Sequence, residues 1–364
     1  MVYTKKRVLI FGMVLASLLM PIAVQAHVKW FTDPSVSDAP ISLQDAITPT
    51  FLAMTALTFF ALAFAVFLER QIRDTAWYKN IVGWFIARRE YSTVVMRIGL
   101  GMTLLLSWQA ETLLVPQLNL TESWLGWAQF VVVLLLLLPR TTPLAGAGTL
   151  FLFAAGVVEF GGFYMLDYFL FVGVGIFLLL AETENIRIKA LRIPALYFAV
   201  GFSLFWVGLE KIIYPQWGLY VLEQNPELTL GFDPAFFLVG AAFVELALGY
   251  LLIIGLLERP LALTITLVFF LTTLIFGRLE IVGHTIIHAS LIVFLLEGPG
   301  KLYPAPVDIH KRLPLRMAFA SVNFLIFLAV LIVPYSLIAD AEYDASADEQ
   351  AQVQELAENN LTEE

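Results

Sequence analysis

The sequence contains no cysteine. That excludes disulfide staples, thiolate nucleophiles, cysteine-held iron–sulfur clusters and a persulfide carried on this chain. Charge is nearly as scarce: 14% of residues are Asp, Glu, Lys or Arg, against roughly 25% in an average soluble domain. Histidine occurs four times, and a single apolar run, the one holding His284 and His288, carries it within the membrane. Residues four apart on one helix cannot face both sides of a porphyrin, so no bis-histidine haem is expected. The net charge of -9 argues against nucleic acid as a partner. What the sequence has in abundance is apolar: 60% hydrophobic residues with 30 Phe and 8 Trp, and a mean hydropathy of +0.83. The fold class is therefore an all-α polytopic membrane bundle, with the lipid bilayer as its first partner.

Lys5, Lys6 and Arg7 precede the apolar run Val8–Met20, and Val24, Gln25 and Ala26 follow it. A basic start, a short apolar run and small residues at the junction predict a signal peptide over 1–26, cleaved after Ala26; the alternative is an uncleaved first helix. Cleavage would place a free amine and an imidazole on His27. Further apolar runs near 46–68, 94–114, 125–139, 144–161, 164–182, 195–213, 235–257, 261–279, 283–297 and 317–338 predict about ten spans. Arg70, Arg73, Lys79, Arg88 and Arg89, then Arg140, then Arg187, Lys189 and Arg192, then Arg259, then Lys301, Lys311, Arg312 and Arg316 fall in every second loop. The positive-inside rule sets those loops in the cytoplasm of a bacterial inner membrane and both mature termini in the periplasm. Lys211 and Arg278 are the exceptions. Trp30, Trp77, Trp84, Trp108, Trp124, Trp127 and Trp217 fall near span ends, as an interfacial belt does.

Internal matches predict two parallel four-helix repeats, 94–182 and 195–297, flanked by residues 27–93 and a C-terminal span at 317–338. Gly101…Glu111 lies opposite Gly201…Lys211, Arg140…Pro143 opposite Arg259-Pro260, and Glu159…Gly162 opposite Glu280…Gly283. In that register Phe163 and Asp167 stand opposite His284 and His288. Gly201, Gly208-Leu-Glu-Lys211, Pro215, Glu245-Leu-Ala-Leu-Gly249, Gly255, Arg259 and Gly277-Arg-Leu-Glu280 resemble the DoxX/DoxD-like membrane family. That family includes the small membrane-embedded subunit of thiosulfate:quinone oxidoreductase. The resemblance implies a four-helix unit and a quinone-linked redox-complex subunit working with a periplasmic redox partner subunit.

Ionisable residues inside spans are costly, so each is a functional candidate. Glu245 sits near mid-span, and Glu210 and Lys211 lie at the outer end of theirs. Glu280, His284 and His288 recur every four residues and share one helix face. Such a face suits a metal, a proton path or packing across helices. Joined by His27, it would form a nitrogen-rich set suited to copper, which makes a copper-binding or transport protein the second function and a scaffold without turnover the third. The expected catalytic residues are Glu245, Lys211 and Glu280. Glu210 and Trp206 are the expected quinone contacts, and His27, Glu280, His284 and His288 the expected metal ligands. Finally, residues 339–364 hold nine acids and no base. The remaining 30 − 9 = 21 acids balance the 21 basic residues, so the whole net charge sits in an acidic tail of a composition expected to be disordered.

Overall fold

The computed structural model describes residues 28–300 and 302–362, with side chains placed up to 348. The expected signal segment and His27 lie outside the described residues. Regular structure among the described residues is helical, without strands. In chain order the main helices are α1 (Pro49–Arg73), α2 (Ala76–Ile86), α3 (Ser92–Gln109), α4 (Ser123–Leu137), α5 (Thr142–Phe160), α6 (Leu170–Leu179), α7 (Arg192–Ile213), α8 (Pro215–Gln224), α9 (Pro234–Ile254), α10 (Glu258–Phe276), α11 (Arg278–Glu297) and α12 (Leu313–Thr362). Local chemistry sets their starts. Thr48 caps α1 by accepting from the Phe51 amide at 3.1 Å, with Pro49 in the first turn. Asp233 and Pro234 begin α9 in the same way.

Seven of the described helices are long and apolar enough to cross a membrane, or eight if the bent pair Gly162–Tyr168 and Leu170–Leu179 counts as one span. The expected count of ten is not reached. At 15 residues, α4 falls short of the roughly 20 that cover the hydrocarbon, and α3 is diluted by Arg97 and by hydroxyl residues. The bent pair turns through 65°, and the Leu170 amide freed at the break donates to Ser203 Oγ of α7 at 2.8 Å.

The helices α3 to α6 pack in sequence, as do α7, α9, α10 and α11. Across the two units, α3 lies against α11 and α7 against α6, so the first helix of each unit leans on the last helix of the other. On the flank, α1 and α12 pair with each other, and α1 also touches α9. The basic loops share one end. Glu69 of α1 accepts from the Leu257 amide at 3.3 Å and from Arg316 at 2.7 Å, and Arg192 pairs with Glu297 at 2.6 Å.

Two glycine corners correct the sequence register. Gly161 ends α5 with φ +87° and Gly277 ends α10 with φ +67°, a region L side chains avoid. Glu159 stands before its corner and Glu280 after, so Glu159, Phe163 and Asp167 are not the counterparts of Glu280, His284 and His288. Glu159 instead accepts from Thr121 at an exposed edge. The acidic tail is a second correction. Rather than becoming disordered, it extends α12 to Thr362. Ala, Glu and Gln dominate it without Gly or Pro, and an existing helix grows without a new nucleation cost.

One close helix crossing joins α7 to α9. A Cβ on Gly201 would meet the Gly249 carbonyl at 2.6 Å, and one on Gly249 would meet the Gly201 carbonyl at 2.5 Å. Backbone atoms cannot step aside as side-chain tips do. Gly249→Val is expected to cost about 2 kcal/mol by overpacking, seen as a lower thermal midpoint by circular dichroism in detergent. The same change at Gly83, which has open space around it, should leave the midpoint in place.

Candidate functional site

The chain enters the bundle at the end opposite the basic loops. Val28–Phe31 forms a single 3-10 turn with Val28 fully buried. The following strip runs along the corner between α7 and α8: the Ile41 amide donates to the Ile213 carbonyl at 2.9 Å, and Gln216 donates to the Ser37 and Ala39 carbonyls at 3.0 and 2.8 Å. Val28 is part of the core, and Trp30, Val36 and Ile41 pack against it.

Lys29 points inward from this turn. Its Nζ lies 3.0 Å from Asp167, in the bend before α6, and 2.7 Å from Glu210 of α7. The ammonium also packs over the rings of Tyr164 and Trp217 at 4.4 and 5.1 Å. Burial works against the charge on Lys29, but Asp167 and Glu210 outweigh it and hold the ammonium well above the ordinary lysine range. Lys29 is therefore protonated at physiological pH.

Glu210 and the next residue, Lys211, project about 100° apart around α7. One meets Lys29; the other meets Glu245 of α9, with Nζ 2.7 Å from Oε2 and both side chains fully buried. The second oxygen of Glu245 has no hydrogen bond among the described residues. Glu245 stands within electrostatic reach of Glu210 on one side and Glu280 on the other. Glu280 accepts from Thr272 of α10 at 3.1 Å and pairs with His284 Nδ1 one turn along α11. His284 stacks on Phe269 at 4.5 Å, and Trp30 lies 5.4 Å away on another side. Gly283 is small for a reason: a Cβ there would occupy the Trp30 ring. The Trp30 indole donates to Tyr168 at 3.2 Å, and Tyr168 donates to Gln117 at 2.7 Å.

The structure thus joins Lys211 to Glu245 and Glu280 to His284, with Glu210 and Glu280 both in electrostatic reach of Glu245. His288 is set apart. It is half-buried against Phe270, at 4.7 Å, whose ring is on the exposed flank of α10. It still lies within electrostatic reach of His284 and Glu280. Among the described residues no three His, Cys, Asp or Glu side chains gather as a metal-binding group. Trp206 is buried among Phe163, Phe202 and Tyr335 at 5.7, 5.4 and 4.7 Å. The nearby apolar cavity, lined by Val200, Ser203, Phe269 and Ile287 among others, holds about 20 Å³, room for about one water and too little for a quinone ring.

Sequence reasoning missed Lys29 and Asp167 as site residues. Asp167 lies inside an apolar run, so the rule that singled out Glu245 applies equally to it. Trp30 and Trp217, expected in the interfacial belt, pack beside His284 and Lys29. Trp77, Trp124 and Trp127 are exposed, as expected.

Residues 195–278 match the DoxX family model. The match spans α7 to α10 and includes Glu210, Lys211 and Glu245; it stops just before Glu280, and Lys29 and Asp167 also lie outside it. No curated protein and no solved structure matches the chain.

Removing one partner of a buried ion pair strands the other charge. Lys211→Met is expected to destabilise the protein by roughly 3–5 kcal/mol, whereas adding Glu245→Leu should recover most of the loss. A double-mutant cycle on unfolding midpoints in detergent reads the coupling; additive losses would mean the two side chains do not interact.

Proposed function

We propose that this integral membrane protein is a proton-handling subunit of a quinone-linked redox complex. One observation carries the reading. Two lysines, Lys29 and Lys211, and four carboxylates, Asp167, Glu210, Glu245 and Glu280, lie with His284 in three neighbouring buried groups: Lys29 with Asp167 and Glu210, Lys211 with Glu245, and Glu280 with His284. The count leaves two negative charges without a lysine. Buried carboxylates in excess of their lysines favour shared protons, and that excess supports a proton-handling role.

Reduction of a quinone consumes two electrons and two protons. The electrons would come from a periplasmic partner subunit that oxidises its own substrate, since the reading assigns this chain only the protons. The interior cavity is too small for the ring, and the lipid-facing flank at His288 and Phe270 is open to a membrane-dissolved molecule. His288 would hold a hydrogen bond at that flank and exchange a proton with His284 through a water. His284 returns it from Glu280, which shares the field of Glu245. Lys29 pairs with Asp167 and Glu210, and Lys211 with Glu245.

The Glu280–His284 pair favours copper as a second reading, because Trp30, three residues from His27, packs against His284. Both readings are tested on protein purified from native membranes. Solvent extraction should recover quinone from the wild type and about tenfold less from His288→Leu, a loss of about 1.4 kcal/mol of binding. Metal analysis of wild type and His284→Ala reports the alternative: copper present in the first and lost in the second. Protein with neither quinone nor copper leaves a scaffold in which the charges fix packing.

A further inference from the structure

A second polar feature lies at the other end of the bundle. The starts of α3, α5 and α7 and the end of α6 enclose a cavity of about 370 Å³. Its walls carry Arg89, Arg97, Lys189 and Arg192 against Glu90 and Glu182, a surplus of 4 − 2 = 2 positive charges. Two of the four cations are fixed in place. Arg97 clamps the Leu136 carbonyl through Nε and a terminal nitrogen at 3.0 and 2.6 Å, and Arg192 pairs with Glu297 at 2.6 Å and reaches Thr93 at 3.2 Å. Arg89 and Lys189 have no ion pair of 4 Å or less among the described residues. The cavity thus has rigid cationic walls and two long cationic arms at its rim.

The depth of this cavity follows from α2, the helix that leads into Arg89. None of its 11 residues is buried, although Trp77, Ile81 and Trp84 are large and apolar, with 41, 46 and 53% of their surface exposed. Such a helix finds its apolar contact in lipid, lying flat at the membrane–water boundary where tryptophan concentrates. Arg88, just past its end, folds back over the Trp84 ring at 3.8 Å and bonds the Trp84 carbonyl at 3.0 Å, which anchors the turn before Arg89. The rim is therefore held at the level of the phospholipid headgroups. By the positive-inside rule this is the cytoplasmic leaflet.

We propose that this cavity binds the phosphate of an anionic phospholipid, with Arg89 and Lys189 closing on the headgroup over the Arg97 and Arg192 wall. A basic pocket between helices at headgroup depth suits that chemistry. Free inorganic phosphate shares it, and the surface position of α2 decides for the lipid.

The test uses full-length protein in phosphatidylcholine nanodiscs containing a minor share of phosphatidylglycerol, with bound lipid counted by native mass spectrometry. Wild type should retain phosphatidylglycerol over phosphatidylcholine. Arg89→Gln with Lys189→Gln should lower that preference by about thirtyfold, the effect of two basic groups near the surface. Lys311→Gln with Arg312→Gln, the same charge change on an exposed loop at that end, should leave it unchanged. Equal losses in both double variants would mean diffuse surface attraction and would overturn the site. No preference in the wild type would overturn it too, as would calorimetric binding of inorganic phosphate in neutral detergent without lipid retention. A thermal midpoint equal to wild type confirms that each variant is folded.

Discussion

Lys29 belongs to neither four-helix unit, yet a carboxylate from each converges on it. Asp167 comes from the bend in the first unit and Glu210 from the first helix of the second. Without the ammonium between them, two buried like charges would face each other where water cannot screen them. This turn of the N-terminal strip sits at the junction of α6 and α7. Much of the local structure serves that placement: the Gln216 bonds to the strip, Tyr214 stacked on Trp217 at 4.2 Å, and the bare Gly283 under Trp30. The strip therefore works as a neutralising wedge rather than as a connection into the first span.

From that wedge, charge passes into the second unit through a single helix step. Adjacent residues on a helix diverge by about 100°, so Glu210 and Lys211 cannot serve one partner. Glu210 completes the interface between the units, and Lys211 turns inward to Glu245. Buried ion pairs contribute little to stability over apolar packing of the same shape. Four carboxylates opposing two lysines are a poor way to hold helices together and a reasonable way to hold protons. Among the charged groups and histidines of this site, His288 is half-buried, beside the exposed ring of Phe270. The arrangement also explains why Trp206, an attractive aromatic in the sequence, stands apart: its neighbours are Phe163, Phe202 and Tyr335, and none of them leads to the charges.

The fold was legible because apolar runs, basic loops and proline or glycine breaks are local signals. Each predicted run became a helix, and the disagreement over span number concerns α3, α4 and the bent pair, where length and polarity are marginal. Intramembrane charge singled out Glu245, Lys211, Glu280 and His284, and the structure sets Lys211 against Glu245 and Glu280 against His284. Lys29 was not legible, because a lysine beside a presumed cleavage site looks like solvated surface and only tertiary packing brings it to Asp167. The mistaken register of Glu159 has a similar origin. Matching letters placed it opposite Glu280, but a backbone corner at Gly161 comes after it and the corner at Gly277 comes before Glu280. Conformation at the glycines, rather than residue identity, sets which side chains correspond. The tail misled for the opposite reason: its composition forbids a packed core but favours helix, and α12 was already there to extend.

The two units consequently divide their work by how each turns its last corner. After Gly161 the chain makes only a short helical segment and bends through 65° before α6. That bend sets Asp167 at the unit interface and leaves the Leu170 amide to be satisfied by Ser203. After Gly277 the chain continues as α11, which carries Glu280, His284 and His288 on successive turns, the first two buried and His288 half-buried. A bent helix end can fix an anchor at one depth, whereas a straight helix can space ionisable groups about 6 Å apart along a path, four residues at 1.5 Å each. The first unit therefore supplies one partner of Lys29, and the second carries the other charged groups.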